Sequence, residues 1–151
     1  MSLITQKTNL PSGYEPSDSE EYMNPLQLEF FRQKLIFWKQ DLLQDSNETL
    51  EHLKENELHQ ADISTRASAE EQTSFELRTR NRYRKLISKI DLALERINDG
   101  NYGYCEETGE EIGVHRLKAR PIATLSLEAQ ERHENYERLH NTDDLEVEDD
   151  E

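Results

Sequence analysis

Between Leu26 and Asn98 the sequence carries two apolar stripes separated by a short break near Asp62. In the first, Leu28, Phe31, Leu35, Trp38, Leu42, Thr49 and Leu53 recur at steps of three and four, with Asp45 or Ser46 filling the gap. Leu77, Arg80, Arg84, Ile87, Ile90, Leu94 and Ile97 repeat the pattern in the second. Such spacing lays one stripe along one face of each helix. A helix apolar on a narrow stripe and charged elsewhere is marginal alone in water, and pairing two buries both stripes. The connection is too short for parallel arms, so an antiparallel hairpin is expected. Arms of about 33 residues at roughly 1.5 Å per residue predict a rod of about 50 Å.

Composition agrees with long exposed helices around a small core. Of 151 residues, 33% are hydrophobic and 34% charged, against about 25% charged in typical globular chains. There is no apolar run long enough for a membrane span, and residues 1–11 lack the order of a secretion signal. Cys105 is the single cysteine, which excludes an internal disulfide and fits a reducing cytoplasm. Net charge is −15, and seven acids among residues 143–151 supply much of it. A chain this acidic is not expected to bind DNA through bulk charge. Its basic residues are concentrated instead: Arg78, Arg80, Arg82, Arg84, Lys85 and Lys89 lie between Leu77 and Ile90 with no acid among them. The plain alternative for Arg78 and Arg80 is pairing across the hairpin with Asp41 and Asp45, worth little per pair at a surface.

Four segments are expected: a flexible stretch over 1–22, with an option for part of it to lie on the body; the hairpin over 23–99 with its tip at 59–66; a globular region with a C-terminal helix over 100–141; and a disordered acidic tail over 142–151. Asn24-Pro25 with Gln27 marks the helix start, and Asn98-Asp99-Gly100-Asn101 marks the stop. At the tip, Asp62 or Ser64 can cap the returning helix. Tyr102–Cys105 and Glu111–Val114 read as short strand-like runs joined through Thr108-Gly109. A last helix starts near Thr124 or Ser126, with Leu125, Ala129, Arg132, Tyr136 and Leu139 as a stripe to close on the hairpin base.

Cys105 and Thr108, then Ser126 and Ala129, occupy the frame of a zinc knuckle, two pairs at a spacing of three. Three of the four positions lack a thiolate. His115, His133 and His140 do not have the paired spacing of replacement ligands, so no zinc is expected. Apolar contacts of Tyr104, Ile112, Leu117 and Leu125 then hold the knot. The acidic neighbours Glu106 and Glu107 are expected to raise the Cys105 pKa, leaving a quiet thiol rather than a redox sensor. The fold class is mainly α: a long antiparallel coiled-coil hairpin, a small zinc-ribbon-like knot that has lost its metal, and a C-terminal helix.

Glu21-Tyr22-Met23-Asn24, Phe75-Glu76-Leu77-Arg78, Arg84-Lys85-Leu86-Ile87, Gly103-Tyr104-Cys105-Glu106 and Leu117-Lys118-Ala119-Arg120-Pro121 resemble, in this order, the DksA (DnaK suppressor protein) family over about residues 21–140. The cysteine-poor segments Cys105-Glu106-Glu107-Thr108-Gly109 and Ala123–His133 resemble its zinc-independent, alphaproteobacterial-type branch. This resemblance implies a cytoplasmic, non-enzymatic regulator of transcription, expected as a monomer. It would insert its hairpin into the secondary channel of RNA polymerase, against the beta-prime subunit, without reading a DNA sequence. With ppGpp it would destabilise open complexes at ribosomal RNA promoters in the stringent response and favour some biosynthetic promoters.

By the same resemblance, the tip residues are Asp62, Thr65, Arg66 and Ala67, with Thr65 standing where the family has a second acid. Leu86, Lys89 and Arg120 match its ppGpp positions, and Gln130 replaces a further lysine. Arg78, Arg82 and Arg84 form the expected docking stripe. A coiled-coil adaptor without polymerase activity is the alternative. The residues offer no nucleophile–base pair and no phosphate loop for catalysis.

Overall fold

In the computed structural model, residues 9–58 and 63–146 are described, apart from the side chains of 56–58, 63–67 and 142–146. Among the described residues four helices occur in order: α1 (Pro25–Leu58), α2 (Ile63–Asp99), α3 (Val114–Ala119) and α4 (Leu127–Glu146). The chain divides into two compact units. One is Phe31–Asn98; the other joins the segment through Phe30 to the chain from Asp99 onward.

The first unit is the expected hairpin. Lys39 Nζ meets Asp91 Oδ1 at 2.6 Å, and His52 Nδ1 meets Glu76 Oε1 at 2.9 Å. As the α1 partner advances from Lys39 to His52, the α2 partner retreats from Asp91 to Glu76, so the arms are antiparallel. The seam is densest near the hairpin base, where Phe31, Leu35 and Ile90 are fully buried and Ala93 and Leu42 nearly so. Farther out, the described part of the seam turns polar and only half-buried: Ser46, Thr49 and Leu53 on α1, with Thr73, Glu76, Arg80 and Tyr83 on α2. Ser46, not Asp45, fills the gap in the α1 stripe. Thr49 and Thr79 donate their hydroxyls back to the carbonyls of Asp45 and Phe75. Glu76 Oε2 is buried without a hydrogen-bond partner. This register sets Asp41 and Asp45 level with the Arg84–Lys89 part of α2, short of Arg78. Accordingly, the expected pairing of Arg78 and Arg80 with Asp41 and Asp45 does not occur, and Lys39–Asp91 and His52–Glu76 are polar rungs of the seam.

At its start α1 has the expected reciprocal cap. Asn24 Oδ1 accepts the Gln27 N–H at 2.9 Å, and Gln27 Oε1 accepts the Met23 N–H at 2.8 Å. Gln27 is fully buried, and its amide also donates to the Ser17 carbonyl. From the segment read as largely flexible, Pro16 is buried and the Tyr14 hydroxyl donates to Glu20 at 2.7 Å. That segment takes the option of lying on the body.

The knot departs from the strand-like expectation. Its only ladder element among the described residues is an isolated antiparallel bridge between Tyr104 and Glu111. The reversal is too tight for strands, because Gly109 N–H returns to the Cys105 carbonyl and Cys105 N–H to the Glu110 carbonyl. The chain then enters α3, a helix that the sequence pattern did not predict, whose Val114 and Leu117, one turn apart, are buried. Tyr102 is the largest fully buried side chain among the described residues, its hydroxyl donating to the Pro121 carbonyl at 2.7 Å. Tyr104 and Leu125, expected in the core, are only half-buried.

Ser126 caps α4, its hydroxyl accepting the Ala129 N–H at 3.3 Å. The stripe expected on α4 ends at Ala129: every residue from Glu131 to Asn141 is exposed, with Tyr136 at 62% and Leu139 at 67%. Helical backbone continues to Glu146, into the span expected to be disordered, while 147–151 lie outside the described residues.

Candidate functional site

Three groups of residues carry the functional expectations; all draw on α2, and the third also takes Arg120 from the end of α3. The first is the basic face of α2. An unbroken helix from Ile63 to Asp99 turns about 100° per residue, which decides which cations act together. Arg78, Arg82, Lys85 and Lys89 succeed each other at steps of four, three and four, and all are exposed. Arg78 Nε donates to the Ser74 carbonyl at 3.3 Å, and the Arg82 guanidinium sits 5.9 Å from the Tyr83 ring centroid. Arg84, expected in the docking stripe, lies about 200° around the helix from Arg82, and so on the other side. Arg80 is half-buried in the seam.

The second group is the tip. Thr65, Arg66 and Ala67 fall in the opening turns of α2, whereas Asp62 lies outside the described residues. The third group contains the residues matched to ppGpp positions. Leu86 is half-buried and Lys89 exposed on α2; Arg120 is exposed at the end of α3, in the other unit, where its N–H bonds the Arg116 carbonyl.

In the knot, the frame of the former metal knuckle is kept and filled differently. Cys105 is 3% exposed. Burial acts to raise its pKa, but the Thr108 hydroxyl and the backbone N–H groups of Ser126, Thr108 and Glu107 outweigh it, lowering the pKa from 9.0 to about 6. The expected upward push from Glu106 and Glu107 is overturned because Glu107 presents its backbone amide to the sulfur. Ser126 and Thr108 therefore serve Cys105 as hydrogen-bond donors where a metal knuckle would supply thiolates. Ala129, fully buried, has no donor atom to offer a metal. One thiol, two hydroxyls and a methyl do not make a tetrahedral zinc set. The histidines do not converge on the thiol: His115 pairs with Asp18 and His133 with Glu107, each at 2.9 Å, while His140 stacks on Tyr136 with ring centroids 3.9 Å apart. Among the described residues no group of three or more His, Cys, Asp or Glu could hold a metal ion.

A clasp that the sequence did not reveal ties the N-terminal segment to this knot. The Tyr22 hydroxyl donates to the Gly103 carbonyl at 2.6 Å and accepts the Gly113 N–H at 3.0 Å. Its ring packs edge-on against Tyr104, and burial raises its pKa. Gly103 has φ +89°, and a Cβ there would lie 2.9 Å from Met23. The motifs around Tyr22 and Gly103 are thus two halves of one contact, separated by 81 residues.

A capped antiparallel hairpin followed by a knuckle-framed knot and a C-terminal helix defines a coiled-coil protein of the zinc-finger-appended type. The family model for the N-terminal domain of the DnaK suppressor protein DksA matches residues 27–97, and that for the prokaryotic DksA/TraR C4-type zinc finger matches residues 100–135. The chain is 58% identical over 132 residues to an RNA polymerase-binding transcription factor DksA of Caulobacter vibrioides, covering 87% of this chain and 93% of that protein. It is 43% identical over 115 residues to the protein of the same name from Escherichia coli K12, covering 76% of each. A solved structure of transcription factor DksA2 from Pseudomonas aeruginosa superposes with a TM-score of 0.74 at 44% identity, covering 82% of this chain and 94% of that one. This chain belongs to the DksA family. It keeps the zinc-finger frame of the family without the four cysteines.

Proposed function

We propose that the chain is an RNA polymerase-binding transcription regulator that acts from the secondary channel. The observation that carries this reading is the antiparallel two-helix arm, with a cationic face on α2, in a chain related to named polymerase-binding factors. An α2 of 37 residues spans about 55 Å, enough for the arm to probe a deep pore. Asp62, Thr65, Arg66 and Ala67, matched to the family's tip positions, then work near the catalytic centre of the polymerase. The beta-prime subunit supplies the acidic partner for Arg78 and Arg82. Leu86, Lys89 and Arg120 contact ppGpp at the shared interface, where Lys and Arg suit a phosphate-rich ligand. The action is regulatory rather than catalytic, with no direct reading of DNA sequence, and the working species is a cytoplasmic monomer, located where its partner is. No helix among the described residues is long and apolar enough to cross a membrane.

Binding to purified core polymerase, read by fluorescence competition, tests this reading. The chain is expected to bind, and Asp62→Asn to bind as well while losing inhibition of transcription. An Asp62→Asn variant that no longer binds would make Asp62 a structural cap instead of an effector. Lys89→Ala and Arg120→Ala are expected to weaken the response to ppGpp and spare the effect without it. Equal ppGpp enhancement in both variants would remove that assignment.

A further inference from the structure

The Tyr22 hydroxyl joins two stretches of backbone, and the functional reading above gives it no part. It donates to the Gly103 carbonyl at 2.6 Å and accepts the Gly113 N–H at 3.0 Å. Burial, the largest cause, raises the pKa of the phenol, so it keeps the proton it donates. Gly103 leaves room for this approach, because a Cβ there would lie 3.1 Å from the Tyr22 oxygen. The Ile112 N–H shares the Gly103 carbonyl at 2.8 Å, so one oxygen gathers Tyr22 and the chain entering α3.

Gly113 is the residue from which α3 starts. Its carbonyl accepts the Leu117 N–H at 3.1 Å, and no side chain caps the helix there. A helix of six residues is marginal by itself, so its direction depends on what holds its ends. Buried Val114 and Leu117 fix its depth, but apolar contact is non-directional, whereas a hydrogen bond constrains angle as well as distance. Arg120 closes the other end, about 10 Å along the helix from Gly113. Its N–H bonds the Arg116 carbonyl at 2.8 Å, and its carbonyl accepts the Ala123 N–H at 3.0 Å. Arg116 Nε donates in turn to the Leu125 carbonyl at 3.1 Å. Tyr22, Gly113 and Arg120 are thus linked through one short hydrogen-bonded lever, with Arg120 exposed at its far end.

We infer that Tyr22 is a positioning residue for Arg120: by pinning Gly113 at the start of α3, its hydroxyl holds the Arg120 guanidinium where the phosphates of ppGpp are met. Tyr22 touches no ligand itself. The inference rests on the reading of Arg120 as a ppGpp contact and names what holds that contact in place. A guanidinium grips phosphate through a planar, two-bond fork, so it is sensitive to small displacements of the backbone that carries it.

A ppGpp titration of open-complex lifetime at a ribosomal RNA promoter, with the full chain saturating the polymerase, tests the lever. Tyr22→Phe removes the hydroxyl and keeps a ring to pack against Tyr104. It is expected to raise the ppGpp concentration for half-maximal shortening about fivefold. In an Arg120→Ala background the same substitution should add nothing, because two residues acting through one contact are not additive. Gln27→Leu is the control for lost stability, since the Gln27 hydrogen bonds go to Ser17, Glu20, Met23 and Asn24 and not to α3. It should keep the parent's half-maximal concentration. In the free chain, the Leu117 amide is expected to exchange with solvent about fivefold faster in Tyr22→Phe. Unchanged exchange, a Tyr22→Phe titration like the parent's, or a shift that persists beside Arg120→Ala would overturn the inference and leave the ppGpp assignment standing. An equal shift in Gln27→Leu would also overturn it, by assigning the effect to stability. An Arg120→Ala titration like the parent's removes the ppGpp assignment and the inference with it.

Discussion

In the knot, Tyr102, Leu117 and Val114 are at most 2% exposed, and the backbone around them closes on itself through short hydrogen bonds. In the hairpin no described residue of α1 beyond Leu42, and none of α2 before Ile90, is buried. The two regions thus spend a small stock of apolar residues differently. The knot concentrates it, because a short, irregular segment must be pinned from inside. The hairpin needs only enough at its base to set the register, and its outer seam holds Ser46, Thr49 and Thr79. Weakly buried helices open locally at low free energy.

The contrast can be broken most sharply in the knot. Leu117→Ala should cost about 2–5 kcal/mol, because the site is fully enclosed. Thr49→Ala in the outer seam should stay within about 0.5 kcal/mol. Urea unfolding of both variants measures the difference, and equal costs would erase the distinction. Gln27→Leu should cost about 1–3 kcal/mol by stranding the Met23 N–H and the Ser17 carbonyl, a loss that should appear as a lower urea midpoint.

The thiol gives a pH signature. Its folded pKa of about 6 lies below the ordinary thiol value of 9.0, so between those values the unfolded chain binds more protons. Cys105 therefore adds stability that grows as pH rises from about 6 to about 9 and is lost as pH falls through 6. Stability curves of the parent and Cys105→Ser should diverge across that window, and thiolate absorbance should titrate near the lower value. Parallel curves would mean that the amides do not hold a thiolate. Ser46→Leu should raise stability by about 1 kcal/mol through seam burial, read from the same urea midpoints.

Much of this contrast was legible in the sequence because helices write their ends and faces locally. Asn24-Pro25-Gln27 and Asn98-Asp99-Gly100 marked the ends of α1 and α2, and the three-four spacing marked the seam. Cys105, Thr108, Ser126 and Ala129 revealed the knuckle frame by their spacing alone. Other features depend on groups distant in sequence. The Tyr22 clasp needs a carbonyl at Gly103 and an N–H at Gly113. The sign of the Cys105 shift depends on amides, which no side-chain pattern records. α3 was missed because six residues leave too short a period to read, although Val114 and Leu117 are spaced for one turn. Arg84 stands beside Arg78 and Arg82 in the sequence but about 200° from Arg82 around α2, a separation that shows only around the helix and not along the chain.

The lifetime of open complexes at a ribosomal RNA promoter, followed after competitor challenge with and without the purified chain, tests the functional account most directly. The account predicts a shorter lifetime with the chain, shortened further by ppGpp. A lifetime unchanged at concentrations that saturate core polymerase would contradict it and leave the molecule a coiled-coil adaptor.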